Sequence, residues 1–168
     1  IPGATARMNR RQHTSPARSV APTAKLLRAN TGDGITIEIL NRQRILPIRR
    51  PRIDHAVRQA LESERISEAH IEVALVNDSI IRDVHRKFTG LDSPTDVLTF
   101  PLHEPGEAIS GEIIVSVETA AREGPHHQLS PEDEILLYVI HGVLHLCGYD
   151  DHTAADARRM RGRQSVLL

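Results

Sequence analysis

The chain has 168 residues, 39% of them apolar and 26% charged, which suits one packed domain and excludes wholesale disorder. No apolar run reaches the roughly 18 residues of a membrane helix, no apolar stretch near the start leads to a small-residue cleavage site, and the one cysteine, Cys147, excludes an intrachain disulfide, so a cytoplasmic protein without a membrane partner is expected. The formal charge of −1 is unevenly spread: residues 1–32 hold six basic residues and no acidic one, and the other 15 basic and 22 acidic residues give the remainder −7.

Residues 1–33 are rich in Arg, Ala, Ser, Thr and Pro and lack a lasting period. They are expected to form a disordered basic arm, with an RNA-contacting arm, an organellar transit peptide or a later start at Met8 as alternatives. Residues 34–168 are expected to form a single domain. Ile35, Ile37 and Ile39 alternate with polar neighbours, which predicts a half-buried strand. Arg52 to Glu64 predicts a helix, with Ile53, Val57, Ala60 and Leu61 on one face and Pro51 near its first turn. Ile71 to Val76 predicts a second strand. Asn77 or Asp78 can cap a helix that runs to about Phe88, striped by Ile80, Ile81 and Val84. Val97 to Phe100 and Ile113 to Val117 predict two more strands, and the second leads into a short helix that stops at Gly124 and Pro125.

The best-signalled helix follows. Ser130 is an N-cap, Pro131 takes the first helical position, and Glu132, Asp133 and Glu134 load the first turn with negative charge. Ile135, Leu136, Val139, Ile140 and Val143 recur with a helical period, and Gly148 supplies a left-handed stop. A last helix is predicted from about Ala154 to the end. The element order predicts an α/β (α+β) layer structure, with a small mixed sheet of about four strands packed with about five helices. Four aromatic residues, Phe88, Phe100, Tyr138 and Tyr149, are too few for a base-stacking platform.

Three of the ten histidines fall within the twelve residues 141–152. His141 and His145 are four apart on the predicted helix, so they share a face and can converge on one metal ion, as in the H-E-x-x-H zinc proteases. The turn after Gly148 can return Asp151 or His152 as a third ligand. Carboxylate is an acceptable zinc ligand and imidazole the more usual partner for two histidines, so both stay open. Three ligands leave a fourth position for a water that zinc makes nucleophilic near neutral pH, through which His141 and His145 take part in catalysis. The helix is thus zincin-like in its metal geometry. It lacks the zincin general base, because the residue after the first histidine is Gly142, and peptide hydrolysis by that route is disfavoured.

At these residues the chain resembles a known family. The run from His141 through Gly142, Leu144, His145, Leu146, Gly148 and Tyr149 to Asp150 is similar to the signature H-G-x-L-H-L-x-G-Y-D-H of the YbeY family of bacterial endoribonucleases. Ser93 to Pro101 is similar to its P-T-D-V-L-S-F-P block, and Gly111 to Ser116 to its G-D-I-x-I-S block. The blocks span residues 93–151 in the family's order, looser similarity reaches back to about residue 35, and residues 1–33 lie outside it. The resemblance implies a single metallohydrolase domain over 34–168, related in fold to metalloproteases. It implies a zinc-dependent, single-strand-specific endoribonuclease with one Zn2+ per chain, held by three side chains. The implied substrate is ribosomal RNA, at the 3′ end of small-subunit RNA and in ribosome quality control, with the small subunit as partner.

Two positions depart from the pattern. A gapless match puts Asp151 where the family has its third histidine, with His152 one residue late. Thr89 stands where the family has an arginine, which leaves Arg86 and Lys87 as candidate phosphate contacts. The acidic body runs against phosphate binding, and a ribosome-assembly factor with a mainly structural zinc is the alternative reading.

Overall fold

The computed structural model describes residues 34–168, and the arm 1–33 lies outside the described residues. In chain order come strand β1 (Ile35–Asn41), helix α1 (Arg50–Ser63), β2 (Ala69–Val76), α2 (Asp78–Thr89), β3 (Val97–Pro101), β4 (Ile109–Ser116), α3 (Val117–Glu123), a 3-10 turn (Gly124–His127), α4 (Pro131–Leu146) and α5 (Ala154–Leu167). The four strands form one mixed sheet in the order β1-β2-β4-β3. The first three are parallel, and β3 runs antiparallel to β4 at the edge. Among the described residues no helix is long and apolar enough to cross a membrane.

Alternation along the strands divides the apolar side chains between two faces. Ile35, Ile37, Ile71, Val73, Leu75, Ile113 and Val115 face one way and join the main core with α1, α3, α4 and α5. Ala74, Val76, Leu98 and Ile114 face the other way, where Ile81 of α2 covers them. Thus α2 and α4 lie on opposite faces of the sheet. The predicted stripe of α2 is only partly sunk: Ile81 and His85 are buried, and Phe88 tilts against Phe100 with ring centroids 5.0 Å apart.

The strand β4 begins four residues before its predicted start at Ile113. Ser110 and Gly111 are poor strand formers, but both sides of that segment are paired. Ile109 lies opposite Ala69 of β2, and Gly111 opposite Pro101 of β3, so ladder pairing overrides local propensity.

The helix α4 seats on β4 through two glycines. A Cβ on Gly142 would lie 2.7 Å from Cγ2 of Ile113, and one on Gly111 would collide with Cδ2 of Leu146. The glycine after the first histidine therefore faces the sheet. Gly142→Ala gains about 1 kcal/mol of helix propensity, but overpacks a stiff β-branched neighbour at about 1–3 kcal/mol. We expect Gly142→Ala to lower Tm by a few degrees in a calorimetric scan; an unchanged or higher Tm would show that the seam can relax.

Candidate metal centre

Local chemistry fixes both ends of α4. At its start the Ser130 hydroxyl accepts the Asp133 N–H at 3.1 Å, as an N-cap should. Arg52 of α1 donates to Glu132 at 2.7 Å and to Asp133 at 2.9 Å, and Arg49 also pairs with Glu132, so α1 grips the first turn. At its end Gly148 takes a left-handed φ of 101°, its N–H bonds the His145 carbonyl, and the Tyr149 N–H bonds the Leu144 carbonyl, each at 3.0 Å. The chain then curls. The Asp150 carboxylate accepts the N–H groups of Asp151 at 2.7 Å and of His152 at 3.3 Å.

This turn places the two candidate third ligands differently. Asp151 swings back to the helix, with Oδ2 3.8 Å from Nε2 of His141 and 3.8 Å from Nε2 of His145. His152 turns outward: its ring is exposed and its Nε2 lies 3.3 Å from Asp150. The side chains of His141, His145 and Asp151 offer three ligand atoms that all lie within 4.8 Å of one another. Asp150, Asp151 and His152 make a second, more exposed group that shares Asp151.

The donor chemistry fits a small divalent cation. The two Nε2 atoms stand 3.1 Å apart, the rings edge to face. Zinc–nitrogen bonds of 2.0–2.1 Å in a tetrahedron set neighbouring donors about 3.3 Å apart, so the imidazoles need little adjustment and the carboxylate moves inward by about half an ångström. His145 is buried, and its Nδ1 lies 3.0 Å from the Tyr149 carbonyl. A carbonyl only accepts, so Nδ1 carries the proton and the Nε2 lone pair faces His141. Burial, then the neighbouring His145, pushes the His141 imidazole down to about 4, with Asp151 opposing. At neutral pH that ring is uncharged, the form a metal requires. The other nitrogen of His141, Nδ1, lies 2.8 Å from the side-chain amide of Gln164 on α5. Sequence reasoning missed Gln164, because a lone glutamine on a polar helix carries no motif or spacing signal.

The remaining candidates lie elsewhere. Arg86 and Lys87 occupy the last turn of α2, on the sheet face opposite α4, and the structure does not bring them into the histidine–aspartate group. Arg86 donates to Asp83 at 3.2 Å. Thr89 closes that helix: its hydroxyl donates to the His85 carbonyl at 2.7 Å and accepts the Leu91 N–H at 3.2 Å. Cys147 is half-buried beside the core, and burial, then Glu64, pushes its thiol up to about 12. His127 is exposed, yet its Nδ1 lies 2.8 Å from the fully buried carboxylate of Glu134. Asp96 caps the start of β3, accepting the Val97 N–H at 2.8 Å and the Thr95 hydroxyl at 3.1 Å.

Fold and donor set together define an α/β protein built around a candidate divalent-metal centre. A family model described as Endoribonuclease YbeY matches residues 38–168. The Endoribonuclease YbeY of Moorella thermoacetica is 36% identical over 128 residues, which cover 69% of this chain and 82% of that one. That of Syntrophotalea carbinolica is 34% identical over 140 residues, covering 79% and 93%. The solution structure of TM1509 from Thermotoga maritima superposes with a TM-score of 0.56 at 32% identity, over 78% of this chain and 85% of that one. The chain belongs to the YbeY endoribonuclease family, whose members hydrolyse RNA.

The Asp96 carboxyl gives a pH test of the entry to β3. Burial raises its pKa, and the bonds from Val97 and Thr95 oppose the rise. A carboxyl whose folded pKa lies above its unfolded value takes up a proton on folding. Stability present below the unfolded value is therefore lost as pH climbs through the folded one. Asp96→Asn keeps an acceptor and removes the charge. In urea melts the wild type should lose stability relative to Asp96→Asn as pH rises from the ordinary carboxylate range upward; parallel profiles would show that the buried carboxyl carries no such penalty.

Proposed function

We propose that residues 34–168 form a zinc-dependent endoribonuclease domain specific for single-stranded RNA. Its substrate is ribosomal RNA on the small subunit, at the 3′ end of small-subunit RNA and in ribosome quality control. His141, His145 and Asp151 hold the zinc. One observation carries this reading: the turn after Gly148 returns the Asp151 carboxylate to within 3.8 Å of both Nε2 atoms. Among the described residues the group has three side-chain donors, the number that favours a catalytic over a purely structural metal.

A divalent cation there supplies Lewis acidity to a phosphoryl oxygen and makes water nucleophilic near neutral pH. The rest is the work of the chain. The Tyr149 carbonyl holds the His145 ring in one tautomer. Asp151 adds the single negative charge of the donor set. Gly142 offers no side chain as a proton acceptor and faces Ile113, so no helix carboxylate enters the reaction. Arg86 and Lys87 contact phosphates away from the scissile bond, where the Phe88–Phe100 contact brings the end of α2 to the β3 edge.

The test uses metal-defined protein with RNA oligonucleotides, single-stranded and duplex. Wild type should cut the single strand at least tenfold faster than the duplex. Both His145→Ala and Asp151→Ala should lose zinc affinity by more than about 100-fold together with cleavage, and His152→Ala should change affinity by at most a few-fold. Cleavage by His145→Ala at the wild-type rate would expose a contaminating nuclease and sink the reading. A large loss in His152→Ala with Asp151→Ala unaffected would reverse the ligand assignment.

A further inference from the structure

The helix α5 turns one face to the core, and that face reads Met160, Gln164 and Leu167, all buried. The middle position is polar. Burying an amide is costly unless it is hydrogen-bonded, and the amide of Gln164 meets one ring nitrogen, Nδ1 of His141, at 2.8 Å. The helix that delivers it is tied down separately, since Arg163 donates to Glu64 of the α1 C-terminus at 2.9 Å. A polar residue in a core-facing stripe, aimed at the back of a candidate ligand, has a chemical use there.

That use follows from the two ends of the amide, which exchange places when the group rotates by half a turn. With its N–H₂ toward the ring, Gln164 donates to Nδ1 and the imidazole proton sits on Nε2. That proton then faces Nε2 of His145 at 3.1 Å, and His145 donates from Nδ1 to the Tyr149 carbonyl at 3.0 Å. The bonds run in one direction from Gln164 through both rings to the backbone. With its oxygen toward the ring, Gln164 accepts from Nδ1–H instead. Both Nε2 atoms then present lone pairs rather than a proton toward a cation.

We propose that Gln164 is a positioning residue for the metal centre, its amide holding the His141 ring and setting which nitrogen bears the proton. The N–H₂ orientation satisfies the metal-free pair, and the oxygen orientation satisfies the loaded site. In each state Nδ1 of His141 has the Gln164 amide as its partner. The proposal rests on the ligand assignment made above.

The experiment measures zinc affinity of the full chain by competition with a chromophoric chelator. It also reads the His141 tautomer of metal-free protein from long-range ¹H–¹⁵N correlations. Four proteins are compared: wild type, Gln164→Met, Gln164→Glu and His145→Ala. Methionine fills the space without bonding, so zinc affinity should fall about 10–100-fold while the metal-free Tm stays within a few degrees. Glutamate can only accept, so Gln164→Glu should bind zinc at least as tightly as wild type and hold His141 as the Nδ1–H form even without metal. Wild-type affinity in Gln164→Met, with binding lost in His145→Ala, would overturn the role of Gln164 and leave the ligand assignment standing. Wild-type affinity in His145→Ala would overturn the ligand assignment itself. Should Gln164→Met fail to fold, Gln164→Glu decides alone: affinity at or above wild type with an Nδ1–H ring bears the proposal out, and weaker binding or an Nε2–H ring contradicts it.

Discussion

The close seating of α4 on β4 governs the position of everything at the site. Gly142 on the helix makes room for Ile113, and Gly111 on the strand makes room for Leu146. These reciprocal gaps let a bulky helix lie against the sheet without displacing it. Interiors pack too densely for such a seam to shift by a methyl group without cost. With the 142 side of α4 sunk on β4, the face carrying His141 and His145 is presented to the turn after Gly148 and to α5. The ring nitrogens thus inherit their placement from a helix–sheet contact made by the residues next to them in the chain, Gly142 and Leu146.

A layered set of hydrogen bonds then finishes the site. His145 is set by a backbone carbonyl, His141 meets the amide of another helix, and Asp151 is returned by a turn that Asp150 organises. None of these partners comes from the same turn of α4, so the site is only as rigid as the docking of α5 and the curl at 149–152. Under the proposed ligation, two neutral imidazoles and one carboxylate around a divalent cation leave one net positive charge. In a chain whose body is otherwise acidic, that charge is the local attraction for a phosphodiester, and the Arg-rich stretch 1–32 supplies the largest separate one in the sequence.

Much of the fold was legible because local and tertiary signals agree. The Ser130 cap, Pro131 and the acidic first turn mark α4 to within a residue, and alternation marks β1. Legibility failed where pairing overrode propensity, as at Ser110 and Gly111 in β4. At the site, the i, i+4 spacing of the two histidines anticipates the convergence of their rings, whose Nε2 atoms stand 3.1 Å apart. Spacing could not choose between Asp151 and His152, because the choice depends on an Asp150 turn that sends adjacent side chains in opposite directions. Gln164 was invisible, since its role depends on how α5 docks. Arg86 and Lys87 are close in the chain to Thr89, which stands at the family's arginine position, but they sit on the other layer of the sheet from α4, which sequence order alone does not reveal.

Under the proposed ligation the end of α4 and the following turn form a two-imidazole, one-carboxylate metal site. X-ray absorption on the zinc-loaded full chain tests it most directly. Two imidazole ligands with light oxygen donors at about 2.0 Å and no sulfur are expected. A sulfur scatterer at about 2.3 Å, which would place Cys147 on the metal, or a shell with fewer than two imidazoles, would contradict it.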